Sequence, residues 1–151
     1  MPARFATLDD IPRCVHLSMQ MHALCQFASF PFNSEKIITS FARALHSDDW
    51  LFAVVEHDGE VVGFAVASVN SLLWADGTES WDKAIYIENA HRNLGLGAQL
   101  IEGYINWARS KQVTMINLGV RAGVDDERAR EVIEGFGFRF AGASYMLKGG
   151  A

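Results

Sequence analysis

The sequence predicts an α/β domain, helices packed on a mixed sheet, and three observations carry that prediction. Asp58-Gly59 separates two apolar arms, "WLFAVVE" and "EVVGFAVASV". An Asp-Gly pair between such runs is the strongest short-range hairpin signal, because both residues tolerate positive φ. The apolar run Ile85-Tyr86-Ile87 leads to Gly95 and Gly97 and then to a helical stripe. Helical and strand-like stretches alternate along the chain with no repeat, low-complexity segment or linker between them. Residues 1–151 therefore read as one domain, with about 149–151 as a flexible tail.

Each element has its own signal. Residues 3–7 read as a short strand, and Asp9 or Asp10 caps a helix with Pro12 in its first turn. Ile11, Cys14, Val15, Ser18, Met19 and His22 recur at helical spacing until "FASFPFN" breaks the pattern. Ser34 caps a second helix marked by Ile38, Phe41, Ala42 and Leu45. The hairpin follows, and its second arm is apolar at nearly every position, which predicts burial on both faces. A loop, "NSLLWADGTES", leads to a strand around 82–88. Ile101, Tyr104, Ile105 and Ala108 give a helix ending near Lys111, and "VTMINLGV" at 113–120 is a further strand. Ala129, Val132, Ile133 and Phe136 mark a last helix closed by Gly135 and Gly137, and "FRFAGASYMLK" supplies one or two terminal strands.

Composition narrows the function. A net charge of −5 counts against nucleic-acid binding, which needs a basic face to neutralise phosphate. No apolar run approaches the ~18 residues that span a bilayer, and "MPARFATLDD" has no apolar leader, so neither a membrane nor export is expected. Two cysteines are too few for a disulfide framework, and the expected location is the cytoplasm. Cys14, His16, His22 and Cys25 match no zinc-ligand spacing, and Cys14 falls on the apolar stripe, so no metal is expected.

The glycines carry the chemistry. The first N–H groups of a helix lack intrahelical partners and sit at the positive end of its dipole. A phosphate there satisfies both, and glycines let it approach the backbone. A P-loop is excluded, since no Gly-Lys-Ser/Thr follows. A dinucleotide loop needs a third glycine where this chain has Leu100, and needs its first directly after the strand, whereas Asn89 to Leu94 intervene.

Arg92-Asn93-Leu94-Gly95-Leu96-Gly97-Ala98 resembles the Arg/Gln-x-x-Gly-x-Gly/Ala signature of the GNAT superfamily of N-acyltransferases. The resemblance runs through the chain. "RFATLDDIPRCVHL" is similar to the family's opening strand and helix, and "LFAVVEHDGEVVGFAVASV" to its second and third strands. "IYIENAHRNLGLGAQLIEGYINWA" resembles its fourth strand, pyrophosphate loop and third helix, and "AREVIEGFGF" its closing segment. The implied fold is a mixed, mostly antiparallel sheet of about six to seven strands, with about four helices on both faces.

The resemblance implies transfer of an acetyl or other short acyl group from acetyl-CoA to an amine, by direct attack on the thioester and without a metal. It assigns the pantetheine arm to the backbone of Ile85, Tyr86 and Ile87. The pyrophosphate falls to the loop begun by Arg92 and the amides of Asn93, Leu94, Gly95, Leu96, Gly97 and Ala98. Arg121, Arg128 or Arg130 are candidates for the other phosphate, against a reading as plain surface charge. An alkyl ammonium, with a pKa of about 10.4, must lose a proton before it attacks. Asp82, Glu79 and Glu88 are the carboxylates near the fourth strand. The family's usual tyrosine acid aligns with Ile133, which cannot donate, so either Tyr145 or Tyr86 substitutes or the thiolate leaves unassisted. The Asn that often precedes the last helix is replaced by Asp125 or Asp126. The connection 24–34 and the loop 70–82, with Phe27, Phe30, Phe32, Trp74 and Trp81, are expected to line the pocket of a small-molecule or protein amine. An edge strand near 138–148 gives the expectation of a homodimer. The first rival reading is a coenzyme A-binding regulatory or structural protein that has lost catalysis, and the second, resting only on the strand–glycine–helix pattern, is a nucleotide-binding module.

Overall fold

The computed structural model of the chain describes residues 2–119 and 126–150. Its sheet has five strands in sequence order: β1 (Arg4–Phe5), β2 (Trp50–His57), β3 (Glu60–Ser71), β4 (Thr78–Ile87) and β5 (Met115–Asn117). The first three pairings are antiparallel and β4–β5 is parallel. Helices α1 (Ile11–Leu24) and α2 (Ser34–His46) pack on one face, and α3 (Leu96–Ser110) covers the other as the crossover between β4 and β5. Helix α4 (Asp126–Gly135) follows.

The hairpin forms as expected, with Asp58 (φ 51°) and Gly59 (φ 79°) both in the left-handed region. β3 is the most protected strand, every residue from Val61 to Ser68 being buried. Cys14, Leu17, Phe52, Val54 and Phe64 fill the core under α1 and α2. Leu51, Val55, Leu100 and Tyr104 fill the core under α3. Phe41 of α2 stacks on Phe52 with centroids 4.5 Å apart, which ties that helix to the sheet.

Several boundaries differ from expectation, β5 among them, which spans Met115–Asn117 within the expected 113–120. Asn33, one residue before Ser34, caps α2, its Oδ1 accepting from Lys36 N at 3.0 Å. β4 begins at Thr78, inside the expected loop, because its first residues pair with β3 on one side and β5 on the other. The expected terminal strands are absent among the described residues, so the sheet has five strands where six to seven were expected. Residues 138–148 have strand-like composition, but a strand exists only by pairing, and Gly137 (φ 94°) turns the chain just before them.

A single extra residue shapes the site. Val66 pairs with Ala84 and Ala67 with Asp82, leaving Lys83 as a bulge. Side chains alternate along a strand, so the bulge reverses which face each later residue meets. Ser80, before it, meets Tyr104 of α3; Ala84 and Tyr86, after it, join the α1–α2 core.

Two polar clusters, one buried around Tyr104 and one reaching the surface around Asp10, lock this frame. The Tyr104 hydroxyl, fully buried, donates to the Asn117 carbonyl at 2.7 Å and lies 2.9 Å from Ser80 Oγ, tying α3 to both β4 and β5. Burial pushes the Tyr104 phenol up to about 12. Asp10 accepts two hydrogen bonds from Arg4, at 2.8 and 3.0 Å, and one from Thr7 N at 2.7 Å, while Arg4 also pairs with Glu56. The bonded guanidinium holds the Asp10 carboxyl below its ordinary value.

Tyr104→Phe should cost roughly 1–3 kcal/mol in chemical denaturation, because it strands buried polar partners on β4 and β5. Asp10 has a depressed folded pKa, so its stabilisation is complete above the unfolded value of about 3.9 and is lost as pH falls through the folded one. Asp10→Asn should therefore be less stable at neutral pH and lose less on acidification below about pH 4, measured by urea midpoints across a pH series.

Candidate active site at the fork between two strands

β4 and β5 pair only at Glu79–Met115, Ser80–Ile116 and Trp81–Asn117. Beyond Trp81, β4 continues for six residues to Ile87 with β3 on one side and, among the described residues, no strand on the other. Alternate residues of this stretch turn their N–H and C=O groups into the opening. Asp82 sits at the branch point, where its Oδ1 accepts from Gly119 N at 2.7 Å and holds the diverging chain. Glu79, also at the fork, accepts from Asn117 Nδ2 at 3.1 Å. Two of the three candidate carboxylates, Asp82 and Glu79, thus lie at the fork, each engaged with the β5 side but on opposite faces of β4.

The glycine loop lies at the far end of the opening. Asn89–Leu94 form a 3₁₀ helix, Gly95 takes a left-handed turn (φ 74°, ψ 8°), and α3 starts at Leu96. Gln99 N is the first α3 amide bonded within the helix, to Gly95 O at 3.3 Å, so the amides of Leu96, Gly97 and Ala98 precede the ladder. The two glycines have different reasons to be there. A Cβ on Gly95 would meet nothing within 4 Å, but its φ disfavours any L side chain. Gly97 is helical, and the nearest described atom to its Cβ would be Ile87 Cγ1 at 3.9 Å, an ordinary contact. Among the described residues the fold leaves room for a Cβ at Gly97, which makes its bareness informative.

Arg92 is turned inward. Its Nε donates to the Ile87 carbonyl at 3.1 Å and its guanidinium lies 5.5 Å from the centre of the Tyr86 ring. It clamps the loop to the end of β4 and is not a solvated helix-start residue. Arg128 of α4 donates to Asn93 Oδ1, bringing a second cation to the loop. Arg130 is exposed, and Arg121 and Asp125 lie outside the described residues.

A hub that the sequence does not announce lies at the end of β4. Glu88 accepts from Arg13 at 3.0 Å and from Gln20 at 3.0 Å, and the Tyr86 hydroxyl donates to Gln20 Oε1 at 3.2 Å. These bonds hold its carboxyl below the usual range, the Gln20 contact most strongly. Desolvation raises the Tyr86 phenol. The partners are more than 60 residues apart in sequence, and no local pattern announces them.

The expected pocket residues are partly accounted for. Phe27 and Phe30 are 46% and 48% exposed on the α1–α2 connection, Phe32 tilts against His22, and Trp74 is 93% exposed on the β3–β4 loop. Trp81 lies half-buried in β4. Tyr145 is 95% exposed in the segment after α4, and Ile133 is half-buried on α4. Among the described residues no three His, Cys, Asp or Glu are placed to hold a metal, and no helix is long and apolar enough to cross a membrane.

Solved structures share this architecture. A mutant form of a Bacillus halodurans protein superposes with a TM-score of 0.80 at 18% identity, covering 98% of this chain and 99% of that one. AAC(6')-Iy, in complex with a bisubstrate analogue, CoA-S-monomethyl-acetylneamine, gives 0.76 at 16%, with 99% and 97% covered. The aminoglycoside 6'-N-acetyltransferase AAC(6')-IG of Acinetobacter haemolyticus gives 0.73 at 15%, with 100% and 99% covered. At such identities the likeness is one of fold. No curated protein matches the chain by sequence. The model of the Acetyltransferase (GNAT) family matches residues 17–138, which include β2 to β5, the fork and the glycine loop. By that match the chain belongs to the acetyltransferase (GNAT) family.

Proposed function

We propose that the chain moves an acetyl or other short acyl group from its coenzyme A thioester to an amine acceptor, acting in the cytoplasm as one acyltransferase unit over residues 1–151. The observation that carries this reading is Gly97: a glycine the fold does not need, beside uncapped α3 amides and the open edge of β4. Such a site suits a ligand with a phosphate at one end and an amide-bearing arm that adds along a strand. The backbone of Ile85, Tyr86 and Ile87 offers the edge, and Asn93 to Ala98 the anion cradle. Arg92 and Arg128 add positive charge beside it.

The thioester supplies the electrophile; the chain's task is to hold it and move protons. Asp82 and Glu79 are the proposed acceptors of the ammonium proton, directly or through water. Both are tied to β5, so the orientation that serves the proton also fixes the fork. Glu88 is the poorer base, since its hydrogen bonds stabilise the ionised form. Tyr145 is the proposed acid if the segment after α4 reaches the fork. Tyr86, its phenol raised by desolvation, is protonated at neutral pH and lies nearer, at the end of β4. One observation favours a coenzyme-binding protein without catalysis: Ile133 stands where relatives commonly have an acidic tyrosine. The acceptor class is a primary amine, small or protein-borne.

Gly97→Val should weaken coenzyme A binding at least ~100-fold in calorimetry while moving stability by no more than about 1 kcal/mol. Gly95→Val should instead lose roughly 1–2 kcal/mol of stability, from its left-handed φ. Unchanged affinity in Gly97→Val would remove the cradle assignment. Thiol release from acetyl-CoA over a panel of alkylamines, amino acids, aminoglycosides and lysine peptides should rise with at least one acceptor. Coenzyme binding without turnover on any of them selects the non-catalytic reading.

A further inference from the structure

We propose that the acceptor amine carries an anionic group, a carboxylate or a phosphate, received between Lys83 and Arg43 across the ring of Trp50. This acceptor class rests on the acyltransferase reading of the fork. Lys83 is the bulge residue of β4, two positions beyond Trp81, where the pairing with β5 ends. The bulge leaves it without a cross-strand partner in β3 and with its side chain exposed. Its Nζ lies 5.8 Å from the centre of the Trp50 ring, and the Arg43 guanidinium, reaching from α2, lies 6.0 Å from the same centre. An indole face attracts one cation well, but a second on the same ring meets the repulsion of the first.

Among the described residues nothing neutralises this pair. Neither Arg43 nor Lys83 forms an ion pair there, although the chain has 18 carboxylates against 13 lysines and arginines. Arg4 and Arg13, by contrast, each hold two carboxylates. Two cations brought to one ring with no carboxylate between them make a seat for an anion from outside. The seat lies on the acceptor's side of the sheet. Trp50 pairs with Ser68 and Ser68 with Trp81, so both indoles share the face that carries α1 and α2. Glu79, two residues before Trp81, lies on that face too. An amine toward Glu79 and an anion at Lys83 are then two ends of one acceptor, with indole between them for its carbon chain. The opposite signs also fix its direction, since a reversed molecule would set like charges against each other at both ends.

The test compares ω-amino carboxylates of graded length with the alkylamines of the same length, and phosphoethanolamine with ethanolamine, on the full chain with acetyl-CoA. For at least one pair kcat/KM should favour the anionic amine at least ~10-fold. That ratio should fall to near one in Lys83→Gln with Arg43→Gln, and should survive in Lys83→Arg, which keeps the charge. Anionic and neutral amines handled alike by the unaltered chain overturn the anion seat, as does a preference that the double variant leaves intact. Calorimetry of the same amines on the coenzyme A-loaded chain separates this from the acyltransferase reading. Anion-dependent binding that the double variant abolishes, without turnover of any amine, upholds the seat and removes the transfer reaction; neither binding nor turnover of any anionic amine overturns the seat.

Discussion

The structure turns on the parting of β4 and β5 after three paired residues. A parallel pair that separates leaves backbone donors and acceptors without partners along one edge, and such groups cost free energy unless something meets them. The chain invests in keeping the strands apart. Asp82 holds Gly119 at the branch, Asn117 is bonded to Glu79, and Tyr104 fastens the last paired residues from beneath. At the other end Arg92, Tyr86, Gln20 and Glu88 brace the close of β4 against α1 and the glycine loop. Between these braces no described strand pairs with the edge. An opening supported from both ends is a built feature of the fold.

The bulge at Lys83 decides which side chains serve which face of that opening. Had the alternation run unbroken through Lys83, Tyr86 would point at α3, and neither its bond to Gln20 nor its stacking with Arg92 would form. The α1 face could not then be tied to the loop. On the proposed reading this couples the two substrates: the coenzyme loop and the acceptor-side helix are braced by the same few side chains. Gly95 and Gly97 divide the loop's work in the same spirit, one making the turn and the other leaving space.

Much of this was legible in the sequence, and for local reasons. Asp58-Gly59 specifies its hairpin through backbone preference, and the unbroken apolar run of β3 reports a strand buried on both faces. The Arg92–Ala98 signature located the loop, and Asp82 and Glu79 fell where carboxylates flank the fork. The rest depends on contacts between distant residues. Nothing near Gln20 or Arg13 shows that both reach Glu88, and a bulge leaves no mark on composition. Residues 138–148 show the converse limit. Their pattern is that of a strand, yet pattern supplies no partner, and without a partner no strand forms.

Hydrogen exchange with and without coenzyme A decides whether the edge of β4 beyond Trp81 and the first turn of α3 receive one ligand. Coenzyme A is expected to slow exchange together in residues 83–87 and 93–98, leaving the core amides of β2 and β3 unchanged. Binding that protects other segments, or leaves both of these unaltered, would contradict it.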